Sequence, residues 1–128
     1  MQRFLLLACT INGFLAVLLG AFGAHGLQTR LASLPDAARR LGWWQTASNY
    51  HLAHALALGL IACWWTTQAP SPWLRVAGIA MLAGITLFSG SLYLMTLTGL
   101  TTLGAITPLG GLGFLVGWAA LAVAAFRT

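Results

Sequence analysis

Three histidines carry most of the chemistry open to this sequence: His25, His51 and His54. Imidazole ligates metals, donates and accepts hydrogen bonds, and changes charge near neutral pH. His51 and His54 are three residues apart and share one helical face, with Tyr50 close to His54 on it. Few other polar groups stand near: Asn12, the pair Ser89 and Ser91 around Gly90, Tyr93 and Thr107. Such a set could ligate a metal or haem through His25, His51 and His54, or hydrogen-bond a quinone or lipid headgroup. It could equally hold helices in register through neutral histidines bonded to Asn12, Ser89, Ser91, Thr107 or backbone carbonyls. Catalytic zinc commonly uses three protein ligands, usually with carboxylate or water support.

That support is scarce. There is no Lys and no Glu, and Asp36 is the single acidic side chain. Paired-carboxylate hydrolysis is excluded on that ground, and transport driven by an intramembrane acid is disfavoured. No serine sits in a nucleophile elbow and no glycine-rich phosphate loop is present. Cys9 and Cys63 fit no metal or redox spacing.

The elements that must position these residues follow from composition. Of 128 residues, 59% are hydrophobic and 5% charged, against about a quarter charged in soluble domains. A water-facing surface cannot be built from seven charges, so the apolar surface must face lipid. The net charge of +5 comes from arginines outside the long apolar runs, where they sit among lipid headgroups and set topology rather than bind nucleic acid. The expected fold is an all-α integral membrane protein, a single domain over residues 1–128. Four transmembrane helices at about 3–27, 43–66, 73–98 and 107–126 would form a bundle. A short interfacial helix between the first two would begin near Leu34 and bend at Gly42.

Local signals support those bounds. Ala16, Gly20 and Ala24 make a small-residue face on the first span, which is expected to remain uncleaved despite a passable signal-peptide site at Ala21-Phe22-Gly23. Ser33 and Asp36 have capping-box spacing. Trp43 and Trp44 open the second span and Trp64 and Trp65 close it; about 30 Å separates Trp44 from Trp64, the hydrocarbon thickness. His51 then lies about 10 Å below Trp44 and His54 about 15 Å, near the midplane. Pro70 and Pro72 demand a turn. Ala80 and Gly84 are a close-packing pair on the third span. Thr107 reads as an N-cap with Pro108 in the first helical position, and Gly113 and Gly117 form a GxxxG pair beyond Gly110. Arg3, Arg75 and Arg127 on one side balance Arg30, Arg39 and Arg40 on the other, so the positive-inside rule selects no orientation.

Four motifs occur in order: GAFGAHG at residues 20–26, YHLAHA at 50–55, LFSGSLY at 87–93 and ITPLGG at 106–111. Together they resemble the small membrane family called domain of unknown function 423, which includes eukaryotic transmembrane protein 256. The resemblance covers nearly the whole chain. It implies a multi-pass helical protein of the bacterial inner membrane and brings no activity, ligand or cofactor. Its signature residues here would be His25, Tyr50, His54, Ser89, Gly90, Ser91, Tyr93, Thr107, Pro108 and Gly110. The leading expectation is a non-enzymatic scaffold or accessory subunit, with a membrane-protein partner or a homo-oligomer as its assembly. The second is a binding module for a lipid, quinone or other small apolar ligand near His25, Tyr50, His51 and Ser91. The third is a histidine-ligated metal or haem protein.

Overall fold

The computed structural model describes residues 1–67 and 71–127. Six α-helices follow one another: α1 (Gln2–Ala24), α2 (Gly26–Leu31), α3 (Ala37–Thr67), α4 (Pro72–Gly84), α5 (Gly90–Thr98) and α6 (Thr107–Phe126). A π-helical segment, Ile85–Ser89, joins α4 to α5 without a break, and a 3₁₀ turn, Thr101–Ala105, leads into α6. No strand occurs among the described residues. Three stretches are long and apolar enough to cross a membrane: α1, the run from Pro72 to Thr98, and the run from Thr101 to Phe126. Pro70, half of the expected proline turn, lies outside the described residues.

The helix marked by tryptophans, α3, is not among those three, because Gln45, Asn49, His51 and His54 dilute its apolar character. It has 31 residues, about 46 Å at 1.5 Å per residue. It runs unbroken through Gly42, so the expected bend there does not form. The short helix between the first two long ones is α2, earlier than Leu34. It follows a break at His25, where φ −125° and ψ −73° leave the helical region.

The long helices pack antiparallel in sequence order. Between α1 and α3, Leu19 meets Trp44, Asn12 meets His51 and Cys9 lies over Gly59. Between α3 and the π–α5 run, Arg40 meets Thr96 and Ala47 meets Ser89. Between α4 and α6, Gly113 lies against Ala80 and Gly84, Gly84 against the Phe114 ring, and Gly117 against Met81. The Gly113–Gly117 pair therefore serves an interface within the chain. The face on α1 is used only in part: Ala16 is buried, Gly20 has open space beside it and Ala24 is exposed. The largest core cluster gathers Leu5, Leu58, Ile61, Leu74, Met81 and Phe114 from four of the long segments.

The expected capping box before α3 does not form. Asp36 makes no capping box with Ser33; its carboxylate accepts from Arg40 Nε at 2.9 Å and from Arg39 at 3.3 Å. Arg40 also donates to Thr96 O at 3.3 Å, and the Thr96 hydroxyl shares its proton between Leu92 O (2.9 Å) and Arg40 O (3.1 Å). A cation is thereby held at the C-terminal end of α5, where free carbonyls carry partial negative charge. Gly99 ends that helix at φ +76°, and the Arg40 guanidinium fills the place of its missing side chain.

The bond from Arg40, opposed in part by desolvation, holds the Asp36 carboxyl below the usual carboxylate range. A carboxyl with a lowered folded-state pKa stabilises the fold above its ordinary value and loses that contribution as pH falls through the folded value. Asp36→Asn is expected to be slightly less stable than the parent at neutral pH. The gap should begin to narrow as pH drops below the ordinary Asp value of about 3.9 and close below the folded-state value. Thermal midpoints in detergent between pH 3 and 7 check this; a gap that widens toward low pH would contradict the pairing.

Candidate functional site

The two buried histidines of α3 face different neighbours although only three residues separate them. His51 points to α1 and α5. Its Nε2 lies 3.1 Å from Asn12 Oδ1 and its Nδ1 3.3 Å from the Tyr93 hydroxyl. The Asn12 amide is oriented by its own donation to Ala8 O at 2.8 Å. Asn12 Oδ1 can only accept, so His51 carries a proton on Nε2, while its Nδ1 pairs with the Tyr93 hydroxyl, which can serve as donor or acceptor.

His54 carries its proton on the other ring nitrogen. Its Nδ1–H donates to the Tyr50 carbonyl at 2.7 Å, and Nε2 accepts from the Trp118 indole N–H at 3.3 Å. The ring lies parallel to Phe114, with centroids 3.5 Å apart and planes 14° from parallel. The His54 imidazole is thus neutral, and all four ring nitrogens of the two histidines are in use. No buried side-chain nitrogen or oxygen among the described residues lacks a partner.

His25 does not join them. It is exposed at the break between α1 and α2, away from His51. Among the described residues no group of three or more His, Cys, Asp or Glu could hold a metal ion.

The serines and Thr107 bind backbone and one another. Ser89 donates to Ala47 O at 2.9 Å, tying the π segment to α3. Ser91 donates to Phe88 O at 3.0 Å, so the 2.7 Å contact with Thr107 has the threonine as donor. Thr107 is the first residue of α6 rather than its cap, and its hydroxyl bonds across to Ser91 instead of to the backbone of its own helix. This fastens the start of α6 to the first turn of α5, beside the π segment whose Phe88 backbone approaches Gly110.

These fastenings leave a groove on the side of the molecule, a cavity of about 640 Å³. Five rings line it: Tyr50, His54, Phe88, Phe114 and Trp118. Pro108, Gly111, Leu112 and Leu115 of α6 complete the wall. Tyr50 packs on Phe88 with centroids 4.6 Å apart, and its hydroxyl has no hydrogen-bond partner among the described residues. Leu112, Leu115 and Trp118 are exposed, so the mouth faces outward from the helices. Of the residues expected around a ligand, Tyr50 and His54 reach this groove; His25, His51 and Ser91 do not line it. Phe88, Phe114 and Trp118 do line it, and spacing alone did not single them out, since each reads as ordinary apolar sequence in a span.

The family model described as "Protein of unknown function (DUF423)" matches residues 19–111. The UPF0382 membrane protein YwdK of Bacillus subtilis is 45% identical over 127 residues, covering 99% of this chain and 98% of that one. The UPF0382 inner membrane protein YgdD of Escherichia coli K12 is 40% identical, covering 98% and 92%. The chain belongs to the DUF423 family. A third relative, the UPF0382 membrane protein SAB0533 of Staphylococcus aureus, is 41% identical over 130 residues, covering 99% and 98%. No solved structure matches. As a DUF423 protein with several apolar helices, the chain is a multi-pass protein of the inner membrane, with the lipid bilayer as its surroundings.

Proposed function

We propose that this protein crosses the membrane four times and acts as a binding module for a membrane-soluble, ring-bearing ligand of the quinone class, without chemistry of its own. The fourth crossing is α3. Its contacts with α1 run antiparallel from Trp44 beside Leu19 to Gly59 beside Cys9, so a bilayer that holds α1 along its length also holds α3.

The observation that carries the binding reading is the ring-lined groove with one unsatisfied hydroxyl. Its size falls within the ~300–1,000 Å³ of small-molecule sites. Ring walls favour planar partners through offset stacking. The Tyr50 hydroxyl can donate to a carbonyl oxygen, and a mouth that opens sideways admits a ligand dissolved in lipid. The scaffold reading has its own support in the fully paired His51 and His54, which are suited to fixing helix register.

Native mass spectrometry of the full chain released from mild detergent, with added decylubiquinone, separates the two. A one-to-one adduct is expected in the parent. Gly111→Leu fills the groove, since a Cβ there meets the Phe88 ring only at 3.8 Å, and it should abolish the adduct. Tyr50→Phe should weaken it about fivefold, the value of one ordinary hydrogen bond. Equal adducts in the parent and Gly111→Leu, or none in either, would overturn the binding role and favour the scaffold.

A further inference from the structure

On the far side of α3 from Tyr50 and His54, a second pattern lies outside the groove and, apart from Gly59, outside the core. Gln45, Asn49, Leu52, Leu56, Gly59 and Cys63 follow one another at spacings of four, three, four, three and four. That is the alternation of a helix–helix seam. Five of the six are exposed, Leu56 to 63%, and Gly59 is half-buried under Cys9. Two of these exposed residues carry amides well inside the helix. Asn49 stands six residues beyond Trp43, about 9 Å along the axis, where lipid offers no hydrogen bonds.

The amides are half satisfied. Gln45 Nε2 donates to Asn49 Oδ1 at 3.0 Å. This leaves the acceptor Gln45 Oε1 and the Asn49 amide N–H donors with no partner among the described residues. The leftover groups are complementary to each other but do not meet within the chain. A second copy supplies both at once.

We propose that two copies of this chain pair in the membrane through α3. Copies inserted with the same topology are related by a two-fold axis along the membrane normal, so their α3 helices run parallel and each residue faces its own counterpart. Around that axis each Asn49 donates to the other copy's Gln45, closing a ring of four amides. Leu52 and Leu56 pack below it. A polar residue at one seam position sets register and oligomeric state in parallel helix pairs. In lipid such amide contacts act as glue between helices that gain nothing from burying leucine alone.

Cysteine cross-linking of the full-length chain in native membranes tests this. With Cys9→Ser, Cys63 is the single thiol and lies on the seam; mild oxidation should give a covalent dimer. Asn49→Leu is exposed and therefore compatible with folding, and it should reduce the dimer yield at least fivefold. With both native cysteines replaced by Ser, Leu52→Cys and Leu56→Cys should cross-link several-fold faster than Ala53→Cys and Leu60→Cys, which flank the seam. Equal rates at the four positions, or an Asn49→Leu yield equal to the parent's, would overturn the proposal.

Discussion

Trp44→Ala is expected to lower stability by about 3 kcal/mol, a cost typical of emptying a large buried site. Trp44 reads in sequence as an interfacial residue of the aromatic belt, but it is 3% exposed. Its indole N–H donates to Leu19 O at 2.8 Å, across from α3 to α1. Its ring sits where Gly23 has no side chain, and it packs against Tyr93 at 4.6 Å and Phe22 at 5.7 Å. Removing it opens a void between α1, α3 and α5 that lipid cannot enter. The transfer term is small in a bilayer, so the cost comes from lost contacts and the lost indole hydrogen bond. Trp44→Phe keeps most of the volume and loses one hydrogen bond, worth about 1 kcal/mol. Unfolding titrations in mixed micelles measure both; if Ala costs no more than Phe, packing at this site is not what holds the three helices.

The second large effect is expected at Gly110. A methyl group added there would overlap the backbone nitrogen of Phe88 and lie 2.7 Å from its Cα. Backbone cannot swing aside as a side chain does, and this backbone is held by Ser89 to Ala47 O and by Ser91 to Phe88 O. Gly110→Ala therefore forces α6 away from the π segment and should cost about 2–3 kcal/mol, at the upper end of overpacking effects. It should also loosen the Ser91–Thr107 bond and widen the groove. Gly111→Ala is the control. It brings the same helix-propensity gain, but its Cβ meets only the Phe88 ring at 3.8 Å. Thermal midpoints of the pair should separate by many degrees, with Gly111→Ala at or above the parent. Equal midpoints would show that the approach of Phe88 to Gly110 is not tight.

Much of the architecture was legible because the relevant physics is local. Pro72 and Pro108 stand in the first turns of α4 and α6, as their missing N–H allows. Ala80, Gly84, Gly113 and Gly117 read as close-packing residues and are so used. The bend at Gly42 does not form, and the capping box at Ser33 gives way to local pairing of Asp36 with Arg39 and Arg40. Arg40 reaches Thr96, and that bond is compatible with α3 continuing as one straight helix through Gly42. The π segment was invisible because Ile85–Ser89 has no distinctive composition. It sits where Phe88 meets Gly110, a residue 22 positions away in sequence.

Composition and periodicity alone determined that this chain is helical and membrane-embedded, because an apolar surface with seven charges has no other solvent available to it. They also determined which residues are small enough for helices to approach. Only the tertiary structure decided what each polar residue does. The partners of His51 lie 39 and 42 residues away, and the indole bonded to His54 lies 64 away. Which of them meet depends on how far each helix is rotated about its axis, and a rotation of one residue, about 100°, would exchange the groove for the core.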